Sequence, residues 1–384
     1  MGSNRSAHIL LLLAMLLSGF ATSNASDAID PSLRKAIDDA VEKEMARQQA
    51  VGVAIGVIQD GEVAYTACYG WADREKKVRV GRKTLFRWAS IGKPLTAVVA
   101  MQLFEQGNLD LDADIREAVP EFPDKGTPIT MRQLLGHLGG IVHYTNGPVI
   151  ETKRDYSMRH PYKDVILALD RFKESPLVAK PGAKFAYTTH GYILASAVIQ
   201  RCGEQPFALQ IRDRISKPLK LKTLRPDYQW QRFPGRAVGY RIKDGQITPS
   251  TDTDVSWKLG GGGWVSNIDD LATFASALAG DELLSRETRQ MMWTAQETSD
   301  GKKTGYGLGF GLSGSGSDLK VLHTGVQEKV RTRMEIYPEK KYGVVVMTNS
   351  ENAEPGDMMA VIDNAIREHS RSTSGDVGAT TVSD

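Results

Sequence analysis

Residues 86–112 read FRWASIGKPLTAVVAMQLFEQGNLDLD and carry the strongest structural signal in the chain. An aromatic and apolar run leads into Ser90, and Lys93 follows three residues later, at the start of a long apolar segment. The pattern predicts a helix from about Lys93 to Gln106 that ends at Gly107. Because residues three apart share a helical face, we expect the Ser90 hydroxyl and the Lys93 amine to face each other.

The S-x-x-K pattern occurs four times, beginning at Ser32, Ser90, Ser299 and Ser317. Ser32 begins a charged amphipathic helix, whereas Ser299 and Ser317 lie in polar loop stretches. Only Ser90 precedes a strongly apolar helix, where an internal lysine is costly unless it has a function. A hydroxyl nucleophile needs a nearby base, and a lysine kept neutral by burial can serve as one. We therefore predict that Ser90 is a nucleophile and Lys93 its base.

The composition is that of a globular protein: 384 residues, of which 41% are hydrophobic and 24% charged. Lys and Arg number 48 against 46 Asp and Glu, which gives a net charge of +2. No basic block stands out, so nucleic acid is not expected as a partner. The length favours two domains, or one large domain with an insertion.

The N-terminus has the layout of a secretory signal peptide, which we assign to residues 1–26. Arg5 precedes the apolar run 9–17, and small residues fill 18–26. The run is too short to span a bilayer, so no stable membrane anchor is expected after processing. We expect the mature protein to be periplasmic or secreted.

Strand patterns occur near both ends of the chain, with helical patterns between them. The Asp60-Gly61 pair between two β-rich runs is typical of a hairpin. We predict an α/β (α+β) fold in which one antiparallel sheet is built from both termini and flanked by helices, with a mostly helical domain inserted. The expected late strands are 306–312, 320–323, 331–337 and 342–349, followed by a helix over 357–369. The expected regions are a sheet domain of 27–90 and 241–369, a helical domain of 91–240 and a disordered tail of 370–384.

Other motifs do not indicate a cofactor or a metal. The glycine pattern that begins at Gly309 is followed by a strand pattern, not the helix that dinucleotide binding requires. The acidic run that begins at Asp110 resembles a calcium loop, but Ile115 stands where the tight turn needs glycine. Cys68 and Cys202 lack metal-ligand spacing; two buried thiols are favoured over a disulfide, which stays open.

Two further segments accompany Ser90. Tyr187 lies within PGAKFAYTTHGYILASAVIQ, just before an apolar helix, where a capping or core tyrosine is the simpler interpretation. His323, Thr324 and Gly325 end a predicted strand before a second strand. The glycine there would let a substrate backbone approach closely.

Taken together, the three motifs and their order resemble the serine β-lactamase and penicillin-binding-protein superfamily. Segments PITMRQLLGHLGGIVHY, GGGGWVSNIDDLATFASAL and YGVVVMTNSEN read like its class C, D-alanyl-D-alanine carboxypeptidase and esterase branch. The resemblance covers about residues 30–369 and is strongest to mitochondrial serine β-lactamase-like proteins and their bacterial relatives. It implies the β-lactamase/transpeptidase-like fold and no cofactor.

The resemblance also implies roles for named residues. Ser90 would attack a carbonyl, Lys93 and Tyr187 would share its proton, and water activated through Tyr187 would release the acyl-enzyme. The backbone N–H groups of Ser90 and Val326 would form an oxyanion hole. The other substrate-binding positions implied are Thr189, His323, Thr324 and Gly325.

Three features depart from the family pattern. Thr189 stands where an asparagine is usual, and His323 replaces a lysine, so a β-lactam carboxylate would be held less firmly by an unperturbed, mostly neutral imidazole. Residues 326–333, VQEKVRTR, replace further glycines and would narrow the cleft. Three cations in this stretch alternate and so share one face of the predicted strand: Lys329, Arg331 and Arg333. We favour a solvated outer surface for this face over an edge that binds an anionic substrate.

The sequence therefore predicts an exported serine hydrolase that acts through an acyl-enzyme on peptide or amide bonds of a small-molecule substrate. A β-lactamase or small-ester esterase would use the same groups. A catalytically weak protein that binds or senses acyl donors is the alternative of another class. The histidines of this region, His137, His143 and His190, are expected to be structural and not metal ligands.

Overall fold

The structure is a computed structural model and describes residues 29–375. The predicted signal peptide lies outside the described residues. Within residues 29–375, no helix is both long enough and apolar enough to span a membrane.

In chain order the strands of this part are β1 (Gly52–Gln59), β2 (Glu62–Asp73), β3 (Val78–Arg79), β4 (Phe86–Arg87), β5 (Arg225–Pro226), β6 (Tyr240–Lys243), β7 (Gln246–Pro249), β8 (Trp264–Ser266), β9 (Gly311–Ser313), β10 (Lys320–Gln327), β11 (Val330–Tyr337) and β12 (Tyr342–Thr348). Its α-helices are α1 (Pro31–Gln48), α2 (Gly92–Glu105), α3 (Met131–Leu135), α4 (Thr189–Cys202), α5 (Phe207–Ile211), α6 (Ile268–Ala279), α7 (Arg286–Met292) and α8 (Pro355–Gly375).

A seven-stranded antiparallel sheet, in the order β3-β2-β1-β12-β11-β10-β9, forms the centre of the molecule. Its first and last long strands are neighbours, with Val53 opposite Thr348. The turn between β1 and β2 places Asp60 and Gly61 at φ of 53° and 82°, as a tight hairpin requires. The prediction of one antiparallel sheet built from both termini and flanked by helices is confirmed.

Alternate residues of β1 point to opposite faces of the sheet, and each face is covered by helices. On one face Val53 and Ile55 pack in a cluster with Ile37 of α1 and Ile362 of α8. On the other face Gly56 leaves room for α6, because a side chain there would come within 2.8 Å of Ala272 Cβ. The sheet is therefore the middle layer of three.

The helical region is centred on α2 and α4, which are buried over most of their length. Residues from Gly92 to Met101 of α2 are all buried. The predicted helix end is close, because α2 ends at Glu105 and Gly107 follows at φ 71°. A small sheet of β4, β8 and β5 adjoins the start of α2, where Trp88 N–H donates to the carbonyl of Trp264 at 2.8 Å.

Three sequence predictions of secondary structure are wrong in extent. The strand expected over 306–312 is reduced to β9, because the chain bends at Gly309, whose φ is 93°. The strand expected to end at His323 continues to Gln327. The last helix does not end at His369 but continues to Gly375, where Thr373 Oγ1 donates to the His369 carbonyl at 3.1 Å and supports the last turn. Residues 376–384 lie outside the described part.

Both cysteines are free thiols in the structure, and both are half-buried. Burial raises the pKa of the Cys68 thiol to about 11, and it also raises the pKa of Cys202. The structure therefore has two separate, protonated thiols and no bond between Cys68 and Cys202.

Candidate active site

Ser90 lies in a tight turn, Ala89–Ile91, immediately before α2. Ala89 has φ of +48°, a left-handed conformation that costs a residue with a side chain about 1–3 kcal/mol. The surrounding structure holds the turn in place: Thr332 Oγ1 of β11 donates to the Trp88 carbonyl at 2.9 Å. The turn directs Ser90 into a cleft between the sheet and the helical region.

Lys93 has no exposed surface, and its amine is directed at the nucleophile. Its Nζ lies 3.0 Å from Ser90 Oγ, 3.2 Å from Thr189 Oγ1 and 3.1 Å from the Gly261 carbonyl oxygen. Within residues 29–375 no carboxylate forms an ion pair with it. Burial, and secondarily the charge of Lys258, therefore lower the pKa of Lys93 well below its ordinary value. A neutral amine that donates to Gly261 and Thr189 keeps its lone pair for the Ser90 proton.

Four consecutive glycines, Gly260–Gly263, hold this arrangement, and the sequence predicted no role for them in the site. The Gly260 carbonyl accepts from Thr96 Oγ1 at 2.6 Å, as Gly261 does from Lys93. A side chain at Gly262 would come within 2.6 Å of the Ala89 carbonyl oxygen, so this loop contacts the nucleophile turn through its backbone. The run of glycines itself was the available signal.

Tyr187 lies directly before the N-cap of α4 and reaches the nucleophile. Its side chain lines the cleft together with Ser90, and its ring centroid is 4.7 Å from Lys93 Nζ. Burial raises the pKa of Tyr187 to about 12, and the nearby Ser90 hydroxyl opposes that increase. At neutral pH the phenol is therefore protonated and can pass a proton between Ser90 and a leaving group.

Two histidines hold the backbone that follows Tyr187. Thr188 N–H donates to His137 Nδ1 at 3.1 Å, and Thr189 N–H donates to His143 Nδ1 at 3.2 Å. An accepting Nδ1 carries no proton, so both rings are neutral. Burial lowers the pKa of both, that of His143 to about 4.

The third motif lies within β10, one strand in from the sheet edge. β9 pairs only with Lys320–Leu322, so the rest of β10 has one edge free of strand pairing, beside the Ser90 turn. Val326 is 60% exposed there and lines the cleft on both sides of Ser90. Gly325 was expected to let a substrate backbone approach closely, and its position differs from that prediction. A side chain there would come within 2.5 Å of the Trp88 carbonyl oxygen, and Gly325 does not line the cleft. Its missing side chain makes room for the nucleophile turn and not for a substrate.

His323 is buried, and both of its ring nitrogens are engaged. Nδ1 lies 3.0 Å from the Thr324 carbonyl oxygen, which can only accept, so this nitrogen carries the proton. Nε2, at 2.9 Å from the Tyr306 hydroxyl, is then the acceptor. Burial lowers the pKa of His323 to about 3. The expectation of an unperturbed imidazole is therefore wrong, although its neutral state is as expected.

The three cations after the motif do not form the solvated face that was favoured. Lys329 is in the turn between β10 and β11, at φ 74°, and its Nζ pairs with Asp252 at 2.6 Å. The other two are on β11 and are half-buried: Arg331 NH1 donates to the carbonyls of Gln327 and Val330, and Arg333 pairs with Glu335 and donates to Thr324 Oγ1 at 3.2 Å.

The cleft has two lobes that meet at Ser90 and Val326. The first, of about 520 Å³, has charged residues in its wall. The second, of about 510 Å³, is lined by neutral groups. Residues of the first lobe include Trp257, Lys258, Gln327, Glu328, Arg331 and Glu351. Residues of the second include His143, Tyr187, Tyr306, Leu322, His323 and Thr324.

Residues 37–365 match the Beta-lactamase family, and the chain belongs to that family. A curated relative, the human serine beta-lactamase-like protein LACTB, mitochondrial, is 28% identical over an alignment of 344 residues, which covers 68% of this chain. The chain spans 63% of the length of that relative.

Solved structures share the fold. The octameric penicillin-binding protein homologue from Pyrococcus abyssi superposes with a TM-score of 0.72 at 24% identity, over 88% of this chain and 77% of its own. D-amino acid amidase from Ochrobactrum anthropi SV3 also gives 0.72 at 24% identity, over 88% of this chain and 99% of its own. The protein therefore has the serine hydrolase fold of the β-lactamase family.

Proposed function

We propose that the protein is an exported serine hydrolase that cleaves amide bonds, including peptide bonds, through an acyl-enzyme. One observation carries the proposal: the buried amine of Lys93, without an ion-pair partner among the described residues, lies 3.0 Å from Ser90 Oγ. A charged ammonium would be costly there, whereas a neutral amine can accept the serine proton.

The geometry suggests the following steps. Ser90 Oγ forms a bond to the substrate carbonyl carbon as its proton passes to Lys93. The resulting oxyanion would lie between the backbone N–H groups of Ser90 and Val326. Tyr187 then donates a proton to the leaving nitrogen as the C–N bond breaks, and Lys93 restores the proton to Tyr187. Water, deprotonated through Tyr187, releases the acyl group by the same steps in reverse.

The neutral second lobe favours amides over substrates that end in a carboxylate. His323 has no free donor, and none of the residues that line this lobe is a lysine or arginine. A β-lactam, or a dipeptide with a free carboxylate, would leave its anion without a counterion there. A substrate with an uncharged leaving group pays no such cost, as in the amino acid amide that gives the Ochrobactrum enzyme its name. A small-ester esterase is the second candidate, because an alcohol leaving group is uncharged too.

Export is part of the proposal and is supported by the sequence of residues 1–26. N-terminal sequencing of the protein recovered from its native source is expected to begin after residue 26. An intact N-terminus on the active protein would contradict export.

The function is tested by intact-mass spectrometry of the mature protein with a fluorophosphonate probe, benzylpenicillin and paired peptides that end in an amide or a free carboxylate. We expect one probe adduct on wild type and none on Ser90→Ala. We also expect amidated peptides to be hydrolysed at least ~10-fold faster than the carboxylate forms.

Three outcomes would contradict the proposal. Folded wild type that gains no adduct would leave only the fold, and a rapid turnover of benzylpenicillin would favour a β-lactamase. An acyl adduct from the peptide substrates that persists without hydrolysis would also contradict the proposal, and would indicate a protein that binds or senses acyl donors.

A further inference from the structure

The position of Tyr187 distinguishes the two lobes of the cleft, if the proposed function holds. A group that donates a proton to the leaving atom must contact that atom. Tyr187 lines the second lobe and does not line the first. The leaving group therefore occupies the second lobe, and the acyl group that stays on Ser90 occupies the first.

The first lobe contains a cation whose donors are not engaged. Lys258 ends the one-turn helix Ser256–Lys258 and is half-buried. Its Nζ lies 5.0 Å from the centroid of the Tyr144 ring and 5.1 Å from that of Trp257. Among residues 29–375 no carboxylate lies within 4 Å of it, and no acceptor forms a hydrogen bond with it. An ammonium has three N–H donors, so this one can bind an anion that enters the lobe.

The other charged groups of this lobe already have partners. Arg331 NH1 donates to two backbone carbonyls at 2.9 and 2.8 Å. Glu351 Oε1 accepts from the Lys329 N–H at 2.9 Å. Glu328 is exposed at the rim and accepts from Thr253 Oγ1 at 3.3 Å. Lys258 is therefore the group in this lobe best placed to bind an anion.

We propose that Lys258 determines acyl specificity by binding a carboxylate on the acyl part of the substrate. The preferred substrates are then amides of dicarboxylic acids or of acidic amino acids, cleaved so that the acidic part stays on Ser90. The Trp257 and Tyr144 rings beside the ammonium cover the methylene groups that connect the two carbonyl carbons. This inference rests on the proposed function, because it assigns the two sides of the scissile bond from the role of Tyr187.

The test compares achiral substrates of increasing length. Succinyl, glutaryl and adipyl amides of 7-amino-4-methylcoumarin are each paired with the uncharged form in which the distal carboxylate is an amide. We expect wild type to prefer at least one carboxylate form by ~10- to 100-fold in kcat/KM. Lys258→Met should remove the preference, Lys258→Arg should retain most of it, and Lys258→Glu should reverse it toward an amine-ended acyl group. The exposed Lys243→Met is the matched control and should behave as wild type.

A second measurement covers substrates that turn over too slowly to measure. The free diacids should slow fluorophosphonate labelling of wild type, whereas their uncharged diamides should not, and Lys258→Met should lose the difference. Equal kinetics and equal protection for charged and uncharged forms would overturn the inference, as would a preference that survives in Lys258→Met. Failure of the proposed function is distinguishable, because folded wild type would then not be labelled at Ser90 at all.

Discussion

Burial of the Lys93 amine lowers the stability of the folded protein, and it also favours the neutral form of the amine, which can accept a proton. It is fully buried, and its hydrogen-bond partners, Ser90, Thr189 and the Gly261 carbonyl, carry no negative charge. In the unfolded chain the same amine is exposed and protonated near pH 10.4 and below. The folded state therefore binds fewer protons than the unfolded state between the lowered pKa and the ordinary one. Stability rises with pH across this window, and the free amine needed for acylation becomes more abundant in the same direction.

At the residue scale we predict opposite effects of Lys93→Met on activity and stability. Acylation by the fluorophosphonate probe should fall by ~10²–10⁴-fold, because the serine loses its base. The free energy of unfolding at neutral pH should rise by about 1 kcal/mol, because no amine has to lose its proton on folding. Rates from timed mass spectra and urea titrations at several pH values check both effects.

The matched control for that variant is Lys43→Met, an exposed lysine on α1. It should change neither quantity. Normal acylation by Lys93→Met would show that another group is the base, and the acylation rate of wild type should rise with pH until Lys93 is fully deprotonated.

At the scale of single elements, the glycine loop before β8 and the nucleophile turn before α2 form one unit. Gly262 has φ of 155°, and its backbone lies against the Ala89 carbonyl. Gly325 of β10 approaches the same turn from the sheet side. The Ser90 turn is thus packed against two separate segments, the glycine loop and β10, at glycines where a side chain would overlap the turn.

We therefore predict that Gly262→Ala will separate the turn from the loop. Its Cβ would lie 2.6 Å from the Ala89 carbonyl oxygen, an overlap that costs about 1–3 kcal/mol when backbone has to shift. Acylation of Ser90 should fall more than the loss of stability explains, because Lys93 loses the Gly261 carbonyl.

Melting temperatures and labelling rates measure the two effects of Gly262→Ala separately. Gly81→Ala is the control, since a Cβ there has no atom within 4 Å. Equal behaviour of the two variants would contradict the role given to the loop.

At the scale of the whole molecule, the sheet joins two buried clusters. One cluster packs α1 and α8 on one face, and the other contains α2, α4 and α6 on the opposite face. Alternate residues of β1 belong to different clusters, such as Ile55 and Ala54. The packing of α1 and α8, on the face away from the candidate site, should therefore stabilise the site through the shared sheet.

Ile362→Ala, in the middle of α8, tests this connection. The residue is fully buried, so its truncation should cost about 2–5 kcal/mol. Loss of Ser90 labelling on heating should move to lower temperature together with the loss of helical circular dichroism. The exposed Glu368→Ala should leave both unchanged. Labelling that survives after α8 has melted would show that the two sides unfold independently.

Local patterns were sufficient to predict several parts of the molecule. The Asp60-Gly61 hairpin, the helix that follows Ser90 and a sheet built from both termini can be read from turn residues and apolar periodicity. The spacing of Ser90 and Lys93 places both groups on one turn, because helix geometry is local. Strand ends were less predictable: β10 continues past His323 because its pairing with β11 continues as far as Gln327 opposite Val330, although Gly325 within the strand resembles a strand end.

The sequence by itself determined the class of fold and singled out Ser90 and Lys93 as the candidate nucleophile and base, since these depend on short-range spacing and on the order of motifs. Only the tertiary structure decided what surrounds them. His323 Nε2 accepts from Tyr306, the buried Lys93 amine lies against the carbonyl of a loop residue 168 positions away, and within residues 29–375 no acceptor engages the Lys258 amine. Desolvation and hydrogen bonding act between segments that are distant in the chain, and folding alone brings those segments together.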